Sequence, residues 1–214
     1  MKKKMGISLA LILAAVLCLT GCRKPDGDIN EFCDAMQFYD IDAMNDYFMA
    51  PDNWSNDEAS LQKAATDEAF SALADYFKDS TANHMSYEIT DSTVDADYAE
   101  VTVRFKYRDC SQIIANTTSE SIPQLTQMYQ TGSSPEDCYK AYGQLLLDAF
   151  KNQDVPMTTV DITLPCNYNS DQELWQIDNS EEITNQLMDV MTCNAFTSFV
   201  LSGTTLATDD GSSE

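Results

Sequence analysis

Val101-Thr102-Val103-Arg104-Phe105-Lys106-Tyr107-Arg108 alternates apolar and polar side chains without a break. Successive side chains of a strand point to opposite faces. The octet is therefore read as a strand with Val101, Val103, Phe105 and Tyr107 buried and Thr102, Arg104, Lys106 and Arg108 in solvent. The same period runs upstream, where Met85, Tyr87 and Ile89 alternate with Ser86, Glu88 and Thr90. Asp95-Ala96-Asp97 lies between the two runs as turn material, so together they predict an antiparallel hairpin. Period two returns after Pro156, with Val160, Ile162 and Leu164 set against Asp161 and Thr163. Asn167 to Asp171 reads as a turn, and Glu173 to Ile177 carries Trp175 and Ile177 on one side.

Around these hairpins the apolar spacing becomes helical. A first helix is expected near Asp28, with Glu31 as capping-box partner and Ile29, Phe32, Cys33, Met36 and Phe38 or Tyr39 on its inner face. The pattern breaks at Asp40-Ile41-Asp42 and resumes with Ala43, Met44, Tyr47 and Phe48. Pro51 to Asn56 is a loop, and a third helix runs over about 57–78. Between the hairpins, Ser121 can cap a short helix through Gln130 that Gly132 closes. Ser134-Pro135-Glu136-Asp137 starts another, with Cys138, Tyr142, Leu145, Leu146, Ala149 and Phe150 as its stripe. Asp178-Asn179-Ser180-Glu181 caps the last helix, lined by Ile183, Leu187, Val190, Met191 and Phe199. Helices segregated from antiparallel strands give an α+β fold. The expected architecture is N-terminal helices packed on a curved antiparallel sheet, a helical insertion over 110–153, and a C-terminal helix. A single domain over 29–202 is followed by an acidic tail, 203–214, expected to be disordered.

The first residues carry an address. Met1-Lys2-Lys3-Lys4 is a basic start, and Ile7 to Leu19 is apolar apart from Ser8. That is shorter than the ~20 residues of a membrane span and has the form of a secretory signal. It ends in Leu19-Thr20-Gly21-Cys22, which closely resembles the lipobox of bacterial lipoproteins. The resemblance implies that residues 1–21 are removed and that Cys22 receives a diacylglyceryl group. Residues 22–28 are then a lipidated N-terminus and short spacer. The expected location is the extracytoplasmic face of the cell membrane, with the membrane itself a partner through the lipid anchor.

Charge and cysteine content narrow the partners. The 214 residues hold 35 acidic and 12 basic side chains, a formal charge of −23. Losing residues 1–21 removes three lysines and no acid, taking −23 to −26. No basic face large enough for nucleic acid is available. Cys33, Cys110, Cys138, Cys166 and Cys193 remain after the signal and Cys22 are set aside. Five is odd, so at least one thiol is free, or none is paired. No two are close in sequence, which excludes CxxC redox and zinc patterns. Burial of reduced cysteines is the expectation.

Glu31 to Phe48 looks like the opening of nuclear-transport-factor-two-like domains, a cystatin-like, cone-shaped superfamily. There an aromatic-bearing helix breaks at an aspartate and restarts as Asp-x-Asp-Ala-Met, here Asp40-Ile41-Asp42-Ala43-Met44. Leu174-Trp175-Gln176-Ile177-Asp178 resembles the closing strand of small lipoproteins with that fold. The likeness covers about 28–108 and 156–178, while 110–153 and the helix after Asp178 depart from the compact plan. It implies a curved sheet around a cone, and a range of roles from isomerases and dehydratases to binding proteins.

Candidate sites are few. Arg104, Lys106 and Arg108 share one strand face, which reads either as an anion or ligand site or as an exposed face pairing across strands with Glu88 and Asp161. His84 has no base partner nearby in sequence, and Cys33 sits among apolar helix positions, so a Cys–His pair is not expected. Asp95, Asp97 and Glu100, and Asn167, Asn169, Asp171 and Asp178, are oxygen-rich loops that could hold calcium or be solvated turns. Gln172 stands where a calcium loop wants glycine. Tyr39, Tyr47, Trp54, Tyr87, Tyr107, Tyr142 and Trp175 could line a cavity or form core. No nucleophile motif, metal set or cofactor site is recognised. The function expected is non-catalytic binding of a small molecule or a surface protein. The alternative is an isomerase or dehydratase of the cone-fold type using a cavity carboxylate.

Overall fold

The computed structural model describes residues 24–50 and 68–198. The signal segment, Cys22, Trp54, the first part of the expected third helix, Phe199 and the acidic tail lie outside the described residues. The elements in chain order are α1 (Pro25–Gln37), α2 (Ile41–Asp46), α3 (Glu68–His84), β1 (Ser86–Asp95), β2 (Tyr98–Arg108), α4 (Ser111–Gln130), α5 (Pro135–Asn152), β3 (Met157–Asn169), β4 (Leu174–Ile177) and α6 (Glu181–Met191).

The four strands form one sheet in the order β1-β2-β3-β4, each neighbour antiparallel. Ala96, at φ 54°, carries the left-handed residue of the β1–β2 turn. Thr90 is an extra residue between the paired Ile89 and Asp91, so the inward phase of Tyr87 and Ile89 ends at a bulge. On β2 the alternation is realised in full. Ala99, Val101, Val103 and Phe105 have no exposed surface, and Tyr107 is buried with them. Ile162, Leu164 and Cys166 of β3 and Trp175 and Ile177 of β4 extend that apolar face. It packs on Ile29, Phe32, Cys33 and Met36 of α1 and on Leu187, Met188, Val190 and Met191 of α6.

The chain begins folding earlier than the capping pattern suggests. Helix α1 starts at Pro25, whose missing N–H costs nothing in a first turn. Asp28 is one turn in and buried, and its carboxylate accepts the backbone N–H of Trp175 at 3.0 Å. Asp40 ends the helical run and caps α2 by accepting from Ala43 N–H at 3.1 Å. Beyond α2 the chain runs beside β4. The Ile177 N–H donates to Tyr47 O at 2.7 Å, and the Met49 N–H donates to Ile177 O at 3.0 Å. The buried Asn179 closes this seam by exchanging two hydrogen bonds with the backbone of Ala50.

The insertion builds a second core. Leu73 and Phe77 of α3, Ile113 and Ile114 of α4, and Leu146, Leu147 and Phe150 of α5 cluster together with Cys110, Cys193 and Ala195. Tyr39 touches both cores, and its hydroxyl donates to Met191 O. Helix α4 begins at Ser111, ten residues before the expected cap at Ser121. Ser121 is instead buried within the helix and donates to Thr118 O at 2.9 Å. At its other end, Gly132 has φ 97° and Ser133 N–H reaches Met128 O, a Schellman closure. Ser134 and Asp137 then form the expected capping box of α5.

Candidate functional site

The outer face of the sheet holds the basic residues singled out on β2. Register places Arg104 between Glu88 and Asp161. Its guanidinium grips Asp161 with both prongs, Nε to Oδ1 at 2.8 Å and an Nη to Oδ2 at 2.9 Å. Those bonds hold the Asp161 carboxyl below the usual carboxylate range. Lys106 stays exposed on the same face, opposite Ser86 and Thr159. Thr102 and Thr163 share a hydroxyl bond at 3.0 Å beside them. Arg108 is half-buried at the strand end, near Tyr76 and Cys193. Arg104 is thus committed to a carboxylate, and Arg108 serves a different neighbourhood from Lys106.

His84 is exposed at the end of α3, whereas Cys33 is wholly buried in the first core. Burial, with Asp34 beside it, pushes the Cys33 thiol far up, away from thiolate chemistry. The oxygen-rich loops bond internally. Asn169 Oδ1 accepts from Asp171 N–H and Gln172 N–H, and its amide donates to Gln172 and Gln176. Tyr98 donates to Glu100 at 2.9 Å. Among the described residues no group of three His, Cys, Asp or Glu is placed to hold a metal ion. The face of the sheet that packs on the helices is filled, with Phe32 edge-on to Phe48 at 5.3 Å and Tyr168 tilted on Trp175 at 5.4 Å. The tyrosines at its rim find acids or amides. Tyr47 donates to Glu31, Tyr87 to Asp34, and Tyr107 to Asn194.

Among the described residues, open hollows lie along two of the helices. One follows α6 and is lined by Ser180, Glu181, Asn185, Asp189 and Thr197. The other lies along α4, between Ile114, Thr118, Ile122 and Ser198. Neither contains the basic residues of β2.

One cluster has no signature in the sequence. Cys110 follows β2 and Cys193 follows α6, and the Cys110 N–H donates to Cys193 O at 2.8 Å. Cys193 and Asn194 both take positive φ, 56° and 61°, which turns the chain back against β2. The two buried thiols titrate against one another. The Cys193 Sγ lies 3.4 Å from Ser80 Oγ. Within the pair, Cys110 lowers the Cys193 thiol, with Ser80 and Arg108 adding to it against burial, while Cys110 is raised. Just outside, Tyr107 anchors Asn194 at 2.7 Å, and Asp109 accepts the Ser111 N–H at 2.9 Å. The only sequence signal here is an odd number of cysteines, which says nothing about which two meet.

No family model matches the chain, and no curated protein matches it. Among solved structures it is similar to a Bacillus subtilis chain described as a lipoprotein (ycdA), with 17% identity and a TM-score of 0.44. That match covers 64% of this chain and 44% of the other. At this level of likeness the function rests on the residues themselves.

Proposed function

We propose that the chain is an extracytoplasmic lipoprotein, anchored through a diacylglyceryl group on Cys22, whose domain binds a surface partner or small ligand without catalysis. The observation that carries this reading is Leu19-Thr20-Gly21-Cys22 closing an apolar run behind three lysines. Helix α1 then starts at Pro25 and is locked to β4 through Asp28 and the Trp175 N–H. Only Arg23 and Lys24 separate the lipid site from folded structure, so the domain is held against the bilayer. The packed inner face of the sheet favours a partner at the surface over a ligand held inside the domain. The strongly acidic composition favours a partner with basic groups.

The likeness to cone-shaped domains belongs to the same reading. Its two halves, the helix-break-helix opening and the closing Trp-x-Ile strand, meet directly through Tyr47, Met49 and Ile177. The test is Cys22→Ala expressed as the full chain in a bacterium that processes lipoproteins. The wild type is expected in the membrane fraction with the mass of a diacylglyceryl group, and the variant without the lipid mass and released from the membrane. Unchanged membrane retention of the variant without lipid would overturn the assignment.

A further inference from the structure

Cys110 and Cys193 are far apart in sequence and adjacent in the fold. We propose that they close a disulfide when the chain folds in an oxidising compartment, tying the end of β2 to the turn after α6. The backbone bond of 2.8 Å from Cys110 N–H to Cys193 O keeps their Cα atoms under about 7 Å apart by covalent geometry alone. That is the span a disulfide requires. Both side chains are buried in the same small core, so they share one environment. The remaining cysteines are placed elsewhere. Cys33 and Cys166 belong to the first core, and Cys138 is half-buried on α5 with its sulfur toward Leu125 O. One pair plus three free thiols accounts for the odd number.

The chemistry is thiol–disulfide exchange with a disulfide-bearing oxidant, a protein or a small molecule. The Cys193 thiolate attacks one sulfur of the oxidant, whose S–S bond breaks and whose other sulfur leaves as a thiolate. Cys110 then loses its proton and attacks Cys193 Sγ in the mixed disulfide, releasing the second thiolate. Two cysteine thiols are oxidised, one disulfide is reduced to two thiols, and the two protons end on the leaving sulfurs. The roles of the two cysteines can be exchanged without changing the balance, since either can attack first while the turn is undocked. Both cysteines are sealed from solvent in the fold, at 0% and 1% exposure. The bond therefore forms during folding, before the turn at 193 docks on β2, and is afterwards shielded from reductants.

The compartment rests on the lipoprotein reading, whereas the pairing does not. The full chain is exported in a lipoprotein-processing host, quenched in acid, alkylated, and digested without reductant for mass spectrometry. A peptide pair joined through Cys110 and Cys193, lost on reduction, is the expected result. In parallel the reduced, unfolded full chain is refolded with oxidised dithiothreitol. A Cys110–Cys193 link in both samples supports the proposal. A link only on refolding keeps the pairing and removes the export reading. Bridges through Cys33, Cys138 or Cys166 instead, or no bridge in either sample, overturn the pairing. In the wild type, a sample reduced while unfolded and refolded under reductant should melt about 5–15 °C below the oxidised one, because the bridge closes a loop of about 80 residues. Cys193→Ala should show no reductant dependence. The peptide map decides the matter even if that variant fails to fold.

Discussion

Single side chains divide sharply by the face they occupy. Phe105 and Val103 have no exposed surface, so truncating either to Ala should cost about 2–5 kcal/mol in denaturant melts. Arg104, 2.8 Å from Asp161 yet open to water, should leave the midpoint nearly unchanged as Arg104→Ala. The reverse order would mean that β2 is turned inside out. Asp28 is a harder case, because an acid in the first turn reads as a cap and is found instead beneath β4. Asp28→Ala should cost about 1–3 kcal/mol by stranding the Trp175 N–H, and Asp28→Asn should recover part of it by keeping an acceptor. Tyrosine titration adds a pH signature. Burial, with Asp189 and Asp109 nearby, pushes the Tyr107 hydroxyl up to about 12, and burial beside Cys110 does the same to Tyr76. A group whose folded pKa lies above its unfolded value stabilises the fold below the unfolded value. That contribution disappears as pH rises from about 10 to about 12. Alkaline unfolding should fall in that window, and Tyr107→Phe should weaken its pH dependence.

At the scale of elements, the strands were legible and the insertion was only half so. Period two on β2 is a local property with one burial solution, so residues 101–108 announced their own faces. Helix α4 did not announce its start. Thr117 and Thr118 are weak helix formers, and Pro123 reads as an early-turn residue, which together suggest a cap at Ser121. Packing of Ile113 and Ile114 in one cluster with residues of α3 and α5 overrides those preferences. Pro123 then sits inside a helix, where it removes one hydrogen bond and presses on the carbonyl of Ser119. Pro123→Ala should therefore stabilise by about 1–3 kcal/mol, with slower amide exchange in the distal half of α4. Gly132→Ala should go the other way by about 1 kcal/mol, because φ 97° suits glycine alone. The paired cysteines were illegible for a different reason. Their meeting depends on where the whole α4–α5 insertion lets the chain return, and no local pattern encodes that.

Over the whole molecule the dominant fact is charge, and it sets the last prediction. With 35 acids against 12 bases, opposite charges can neutralise only a minority of the carboxylates. The ion pairs Arg104–Asp161 and Lys140–Glu136 are both exposed, so each contributes little. Compaction instead brings uncompensated acids together, and self-repulsion opposes the folded state. Added salt acts on these two effects with opposite signs, weakening the pairs and screening the repulsion. The repulsion involves many more charges, and at about 0.15 M the screening length is about 8 Å, comparable to the spacing of surface groups. Raising monovalent salt from about 0.01 M to about 0.5 M should therefore raise Tm by several degrees, with most of the gain below about 0.15 M. A Tm that falls with salt would place the stability in the ion pairs and remove self-repulsion as the governing term.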